Sequence, residues 1–167
     1  MKRFFNRPAA QLFYDKMRRH IENRDVAAVL NCIDKIDVDY ISPNAVDGAS
    51  LVSCAVGHEP ECTEIIKAFI KKNASLTRAN TRGQTPMHIA SLYGYGECLS
   101  LLLQHNGGLY HRDQDGYRPF DRVGLRNCTQ TQRRETLEII RPYLHPREVK
   151  TIFRFSYDTK WQKHSGF

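Results

Sequence analysis

The chain has 167 residues, of which 41% are hydrophobic and 26% are charged, so it is long enough for one domain and too apolar for wholesale disorder. Its longest aliphatic run is the three leucines at 101–103, which predicts no membrane-spanning helix. The net charge of +7 is uneven: residues 1–24 hold seven Lys or Arg and two acidic residues, whereas residues 25–77 hold four and eight. Basic ends around an acidic middle favour a polyanionic partner without showing which one.

The five cysteines are odd in number and include no C-x-x-C pair, which favours free thiols in a reducing compartment over a disulfide framework. We therefore expect a cytoplasmic protein, with a cytoskeletal or nuclear location as the alternative. Cys54, His58 and Cys62 have zinc-like spacing, but Pro60 breaks that helix face and no fourth ligand is evident. We expect no metal and no cofactor.

The amino-terminal part predicts two pairs of helices after a basic lead-in at residues 1–8. The second pair, at about 45–79, begins with Ser50 as a helix cap, continues in a helix at 64–70 and ends at Asn73. In the first pair, at about 9–40, apolar side chains recur at helical spacing along two helices: Phe13, Met17, His20 and Ile21, then Val26, Val29, Leu30 and Ile33.

The third pair, at about 80–112, carries the clearest start and stop signals. Thr85 can cap the first helix by accepting a backbone N–H, and Pro86 follows where no N–H is needed. Asn106, followed by two glycines, ends the second helix because Asn and Gly tolerate the left-handed conformation. The spacing of apolar residues in that second helix predicts its buried stripe: Cys98, Leu99, Leu102 and Leu103.

A period of 33 residues relates the fourth pair, at about 113–144, to the third. Arg118 then stands where the third pair has its capping Thr85. The turn at 124–134 is several residues too long, and Pro142 interrupts the last helix. We therefore expect the fourth pair to be distorted and to end the stack.

The unit that starts at Asn80, N-T-R-G-Q-T-P-M-H-I-A, resembles the ankyrin repeat family, whose pattern D-x-x-G-x-T-P-L-H-x-A precedes a short turn and a second helix. In that family the histidine, here His88, bonds the turn and does not catalyse. The resemblance extends over about residues 9–144. It implies an all-α solenoid of four helix-turn-helix repeats, with units at about 9–40, 45–79, 80–112 and 113–144.

The resemblance also implies a recognition surface, built in this family from the hairpin tips and the exposed face of the first helices. Leu92 and Tyr93 stand where the family tolerates any residue, so an apolar pair there indicates a contact. Carried over by position, the implied contact residues are Val46, Asp47, Thr81, Arg82, Gln84, Leu92, Tyr93, Gln114, Asp115, Tyr117, Leu125 and Arg126.

The tail at 145–167 is predicted to be an extended carboxy-terminal arm. Pro146 is expected to stop a helix, and aromatic residues from 153 onward alternate with polar ones, which is the period of an extended segment. Two fates remain open: the aromatic residues fold back over the last repeat, or they insert into a partner. In the second case the contact residues would be Phe153, Phe155, Tyr157, Trp161 and Phe167.

Three kinds of function remain open, and no arrangement of nucleophile and base indicates an enzyme. The leading hypothesis is a non-catalytic protein-protein interaction module, an adaptor or inhibitor that masks a partner's surface. The second is a permanent subunit of a larger assembly, such as a cytoskeletal or axonemal structure, anchored by the aromatic arm. The third is nucleic-acid binding through the basic ends. We expect one or more protein partners with an acidic surface, and no membrane.

Overall fold

Helices stacked in two layers form the protein. α1, α3 and α5 pack side by side in one layer, and α2, α4, α6 and α7 follow one another in the second. The computed structural model describes residues 7–43, 45–58 and 63–156, and within these ranges it contains no β-strand. The α-helices are α1 (Arg7–Glu22), α2 (Val26–Cys32), α3 (Leu51–Val56), α4 (Thr63–Lys71), α5 (Pro86–Tyr93), α6 (Gly96–Gln104), α7 (Gln130–Ile140) and α8 (Pro146–Ser156).

The two layers share one continuous hydrophobic core, which confirms the all-α ankyrin solenoid expected from the sequence. In α1 the side chain of Tyr14 is buried, whereas Phe13 is only half-buried. The Tyr14 hydroxyl donates to the carbonyl of Ala49 at 2.6 Å, and burial raises the pKa of Tyr14 to about 12. The largest fully buried side chains come from all four repeats: Met17, Ile21, Leu51, Phe69, Met87, Leu99, Phe120 and Ile140.

The helix ends follow the start and stop signals of the sequence. Ser50 Oγ accepts the N–H of Ser53 at 3.1 Å and caps α3. Asn73 and Asn106 end α4 and α6 with left-handed φ values of 55° and 57°. In both turns the next N–H donates to the carbonyl five residues earlier, at 3.0 and 2.7 Å. The same turn therefore directs the chain from each second helix toward the next hairpin tip.

The fourth repeat does not contain the full first helix expected from four equal units. This helix is reduced to a single 3-10 helix, Pro119–Arg122, because Val123 adopts an extended conformation. The chain instead runs along the end of α5 before it reaches α7. After α7 it continues as a 3-10 helix at Arg141–Tyr143, the place where Pro142 was expected to interrupt. The expected distortion of the last repeat is thus present.

The expectation of an extended arm is wrong for residues 146–156, which form α8. Pro146 begins this helix because the first helical position needs no N–H donor. Val149, Ile152 and Phe153 fall at i, i+3 and i+4, so the helix brings all three against the core. An extended chain would direct two neighbouring side chains to opposite sides. Of the aromatic residues whose fate was left open, Phe153 therefore packs against the core, and the others lie outside the described side chains.

The carboxylate of Glu148 adds polar contacts between α8 and the rest of the fold. Glu148 accepts hydrogen bonds from Arg118 Nη1 at 2.7 Å and from the Tyr110 hydroxyl at 3.0 Å. It also accepts the N–H of His145 at 3.0 Å, at the start of the helix. The side chains of Arg118 and Glu148 are only 25% and 19% exposed, so solvent and salt weaken this ion pair less than a surface pair.

Candidate interaction surface

Hairpin tips and first helices from three repeats meet in a groove of about 480 Å³. Asp47 and Thr81 lie beside it, where Thr81 Oγ1 donates to the Asp47 carbonyl at 3.1 Å. Tyr117 and Leu125 are each 46% exposed, and the side chain of Val46 lies outside the described part of the chain. The other residues that the resemblance implied all line the groove: Arg82, Gln84, Leu92, Tyr93, Gln114, Asp115 and Arg126.

Backbone hydrogen bonds hold the tips of successive repeats together. The N–H of Thr81 donates to the Asp47 carbonyl at 2.8 Å, and the N–H of Gln114 donates to the Arg82 carbonyl at 3.0 Å. These bonds position the groove edge in the free protein, so little ordering is needed on binding. Inside the tips of the third and fourth repeats one side-chain oxygen accepts two N–H groups: Asn80 Oδ1 from Arg82 and Gln84, and Asp113 Oδ1 from Asp115 and Tyr117.

His88 links α5 to the next hairpin tip. Its Nδ1 accepts the N–H of Thr85 at 3.1 Å, so this hydrogen-bond pattern assigns the ring proton to Nε2. Nε2 then donates to the carbonyl of Tyr117 at 3.1 Å. Burial lowers the pKa of His88, which keeps the ring neutral near pH 7. With both ring nitrogens engaged, His88 has the structural role that the resemblance implied.

Three arginines line the groove, and they differ in their neighbours. Arg82 pairs with Asp47 at 3.3 Å, and Arg122 pairs with Asp115 at 3.0 Å. Arg126 forms no ion pair with any residue in the described ranges. Among the three arginines of the groove, Arg126 is therefore the one whose positive charge no carboxylate of the described ranges compensates.

The repeat pattern of this groove is that of a known family. The family model described as ankyrin repeats in three copies matches residues 20–119. The chain belongs to the ankyrin repeat family. Ankyrin repeats form a protein-protein interaction module that is generally non-catalytic, so the predicted class of function is confirmed at that level.

Three curated relatives each match the chain over more than half of its length. Ankyrin repeat domain-containing protein 13C-B of Xenopus laevis is 32% identical over 121 residues, which cover 63% of this chain and 23% of the relative. The human ankyrin repeat domain-containing protein 13C is 29% identical over 124 residues, covering 65% and 23%. Potassium channel AKT2/3 of Arabidopsis thaliana is 26% identical over 98 residues, covering 59% and 12%. The chain thus spans less than a quarter of these relatives.

The groove also contains residues that the sequence analysis missed, and the ankyrin period relates three of them to one another. Cys54, Ile89 and Arg122 occupy the same position in three successive repeats, and all three line the groove. Arg122 follows Ile89 by one period of 33 residues, but Ile89 was missed as well, so the period alone could not have located Arg122. Tyr95, also missed, stacks on Tyr93 with ring centres 5.4 Å apart.

Of the five contact residues predicted in the tail, only Phe153 has a described side chain, and it does not line the groove. Phe153 is half-buried against the core, and the Arg141 guanidinium lies 5.0 Å from its ring centre. The side chain of Phe155 lies outside the described residues, as do Tyr157, Trp161 and Phe167, so their contact with a partner stays a prediction.

The described residues contain no group of three or more His, Cys, Asp or Glu side chains that could hold a metal ion. Cys62, one member of the zinc-like spacing, is not among them. Within residues 7–43, 45–58 and 63–156, no helix has both the length and the apolar character needed to cross a membrane.

Proposed function

We propose that this chain is an adaptor- or inhibitor-type ankyrin protein that binds a segment of a partner protein in the groove. The observation that carries the proposal is the convergence of tip and first-helix residues from three repeats on one concave surface. The backbone bonds between tips support it, because a surface that is already ordered loses little entropy on binding. The cysteine pattern favours the cytoplasm as the place of binding.

His88 and Cys98, the two side chains that would be candidates for catalysis, have structural contacts instead. Both ring nitrogens of His88 are hydrogen-bonded inside the structure. Cys98 is fully buried in the core, where it has no access to a substrate. These contacts support binding, and not chemistry, as the function.

The alternative hypotheses depend on the ends of the chain. A structural subunit anchored by the aromatic arm would have to use residues beyond 156, because α8 brings Ile152 and Phe153 against the last repeat. Nucleic-acid binding would rely on basic residues, but Arg118 and Arg122 already pair with carboxylates inside the fold. We therefore favour the groove.

Site-specific photo-crosslinking in a cell extract tests the proposal. A photoreactive phenylalanine analogue replaces Leu125 beside the groove and, as a matched control, Leu12, which is 66% exposed on α1. We expect one protein to be crosslinked from position 125 and not from position 12, at both low and moderate salt. Equal crosslinking from both positions would contradict a partner specific to the groove. Loss of the product at moderate salt would favour polyanion binding through the basic ends.

A further inference from the structure

The segment at 123–126 is attached to the end of α5 in place of a helical turn. The N–H groups of Gly124 and Arg126 donate to the carbonyls of Ser91 and Leu92, at 2.8 and 3.0 Å. These carbonyls lie in the last turn of α5, where a helix leaves carbonyl groups without intrahelical partners. The two bonds flank the half-exposed Leu125, so the backbone of Leu125 and Arg126 is held in place before a partner binds.

Close packing restricts this segment further. A Cβ added at Gly94 would lie 2.5 Å from Cys128 Sγ, and one added at Gly124 would lie 2.9 Å from Arg133 Cγ. Both glycines also have left-handed φ values, 72° and 65°. Cys128, two residues after this segment, therefore packs closely against Gly94 at the end of α5, and Gly124 packs against the side chain of Arg133.

Within the described residues, the arginines of the groove have ion-pair partners except at this segment. The side chains of Arg82 and Asp47 are 59% and 51% exposed and pair with each other, and Arg122 is paired with Asp115. Arg126 belongs to the groove lining and is exposed, and no carboxylate among the described residues compensates it. A guanidinium in this situation is a ready donor for two parallel hydrogen bonds to a carboxylate.

Apolar side chains adjoin this charge. Leu92 and Tyr93 are half-buried residues of the groove lining, and Leu125 precedes Arg126 in the chain and is 46% exposed. Aromatic and aliphatic groups at a partly desolvated site are the usual anchors of a protein interface. The carboxy-terminal half of the groove thus combines apolar side chains with one arginine that no described carboxylate compensates.

We propose that this half of the groove selects a partner segment in which an Asp or Glu lies within a few residues of a Leu, Met, Phe or Tyr. The carboxylate pairs with the Arg126 guanidinium, and the apolar side chain covers Leu92, Tyr93 and Leu125. The proposal rests on the groove being the binding site, and it adds the chemistry of the bound segment. Arg82 and Arg122 already pair with Asp47 and Asp115, so they shape the groove and do not select the charge of the partner segment.

Selection from a random 12-residue peptide library displayed on phage, with the full chain immobilised, tests the proposal. The proteins are the wild type, Arg126→Glu and the control Arg19→Glu, which makes the same charge change on the exposed side of α1, outside the groove. We expect wild type and Arg19→Glu to enrich peptides with an acidic residue close to an apolar one. Arg126→Glu should enrich Lys or Arg at that place. A synthetic peptide from the wild-type selection should bind Arg126→Ala about tenfold more weakly.

The outcomes separate the two proposals. A further variant, Tyr93→Ala, shows whether the selected peptides bind in the groove at all. Peptides that need Tyr93 but carry no acidic preference, or keep the same preference with Arg126→Glu, overturn the role of Arg126 and leave the groove as the binding site. If no selected peptide depends on Tyr93 or Arg126, both proposals are wrong.

Discussion

The third and fourth repeats make the same local hydrogen bond with different side chains. In the third repeat, His88 Nδ1 accepts the N–H of Thr85, and in the fourth, Asp121 Oδ2 accepts the N–H of Arg118 at 2.7 Å. The second nitrogen of the histidine then reaches the next hairpin tip. In the fourth repeat Arg118 reaches Glu148 of α8 instead. An internal repeat therefore links to the next repeat, whereas the last one links to a capping helix.

This difference shows how the stack ends. A repeat buries its apolar face only against a neighbour, so the last repeat of a solenoid needs a different cover with a polar outer side. α8 supplies that cover with Val149, Ile152 and Phe153 against the core. The fourth repeat has Arg118 where the third has Thr85, and Arg118 attaches α8 through its ion pair with Glu148.

The largest expected effect on the free energy of unfolding comes from truncating the side chain at a core position that the third and fourth repeats have in common. Met87 and Phe120 are one period apart, and both are buried. We expect Phe120→Ala to lower the free energy of unfolding by about 3–5 kcal/mol, because a truncated phenylalanine leaves a cavity. Urea unfolding at equilibrium measures this, with Met87→Ala as the matched variant, expected to lose about 2–5 kcal/mol. A loss of less than about 1 kcal/mol for Phe120→Ala would show that the last repeat unfolds independently of the stack.

The histidine link of the third repeat is expected to have the next largest effect. His88→Gln should lower the free energy of unfolding by about 2 kcal/mol near neutral pH, because buried hydrogen-bond partners lose their bonds. His105→Gln, at an exposed position after α6, is the control and should change little. A similar stability for both variants in thermal unfolding would contradict the role of His88 as a link.

The same pair of variants also tests protonation. Burial lowers the pKa of folded His88 below the ordinary value of 6.5, so the unfolded chain binds the proton first as the pH falls. The stability contributed by the neutral ring is therefore present above that value and declines below it. Between about pH 7.5 and 5.5, wild type and His105→Gln should lose stability more steeply than His88→Gln. Equal slopes for all three proteins would show that His88 is not buried in the neutral form.

Converting the fourth repeat toward the third should have a smaller effect, confined to α8. Arg118→Thr removes the ion pair with Glu148, and we expect a loss of about 1.5 kcal/mol. Hydrogen exchange of the free protein should become faster at Val149, Ile152 and Phe153 while α5 and α6 keep their protection. Arg126→Thr makes the same change at an arginine without an ion pair in the described structure and should leave α8 unaffected. Unprotected α8 amides in the wild type would mean that α8 does not cap the last repeat.

The smallest expected effect is at the start of α5. Thr85 Oγ1 lies 2.9 Å from Nδ1 of His88, within the capping arrangement that begins the helix. Thr85→Ala should therefore cost about 1 kcal/mol in thermal unfolding experiments, whereas Thr85→Ser keeps the hydroxyl and should cost less. Identical melting temperatures for wild type and Thr85→Ala would show that Thr85 does not stabilise the start of α5.

Local signals were enough to predict most of the stack. Ser50 as a cap and Asn73 and Asn106 as stops act through bonds within a few residues, so they can be recognised along the chain. The 33-residue period then aligns the repeats, because each repeat packs the same positions against its neighbour. Seven groove residues could be predicted for the same reason, whereas Arg122 was missed because Ile89, its counterpart one period earlier, was missed as well.

Contacts between distant residues were decided by the tertiary structure alone. The eleven residues of α8 fit two periods, an alternation at Phe153 and Phe155 and a helical spacing at Val149, Ile152 and Phe153. Burial against the core favours the helix, because only the helix brings Val149, Ile152 and Phe153 to one surface. The tertiary structure also decides which arginines form ion pairs, because an ion pair depends on the distance between two charges and not on their positions in the chain.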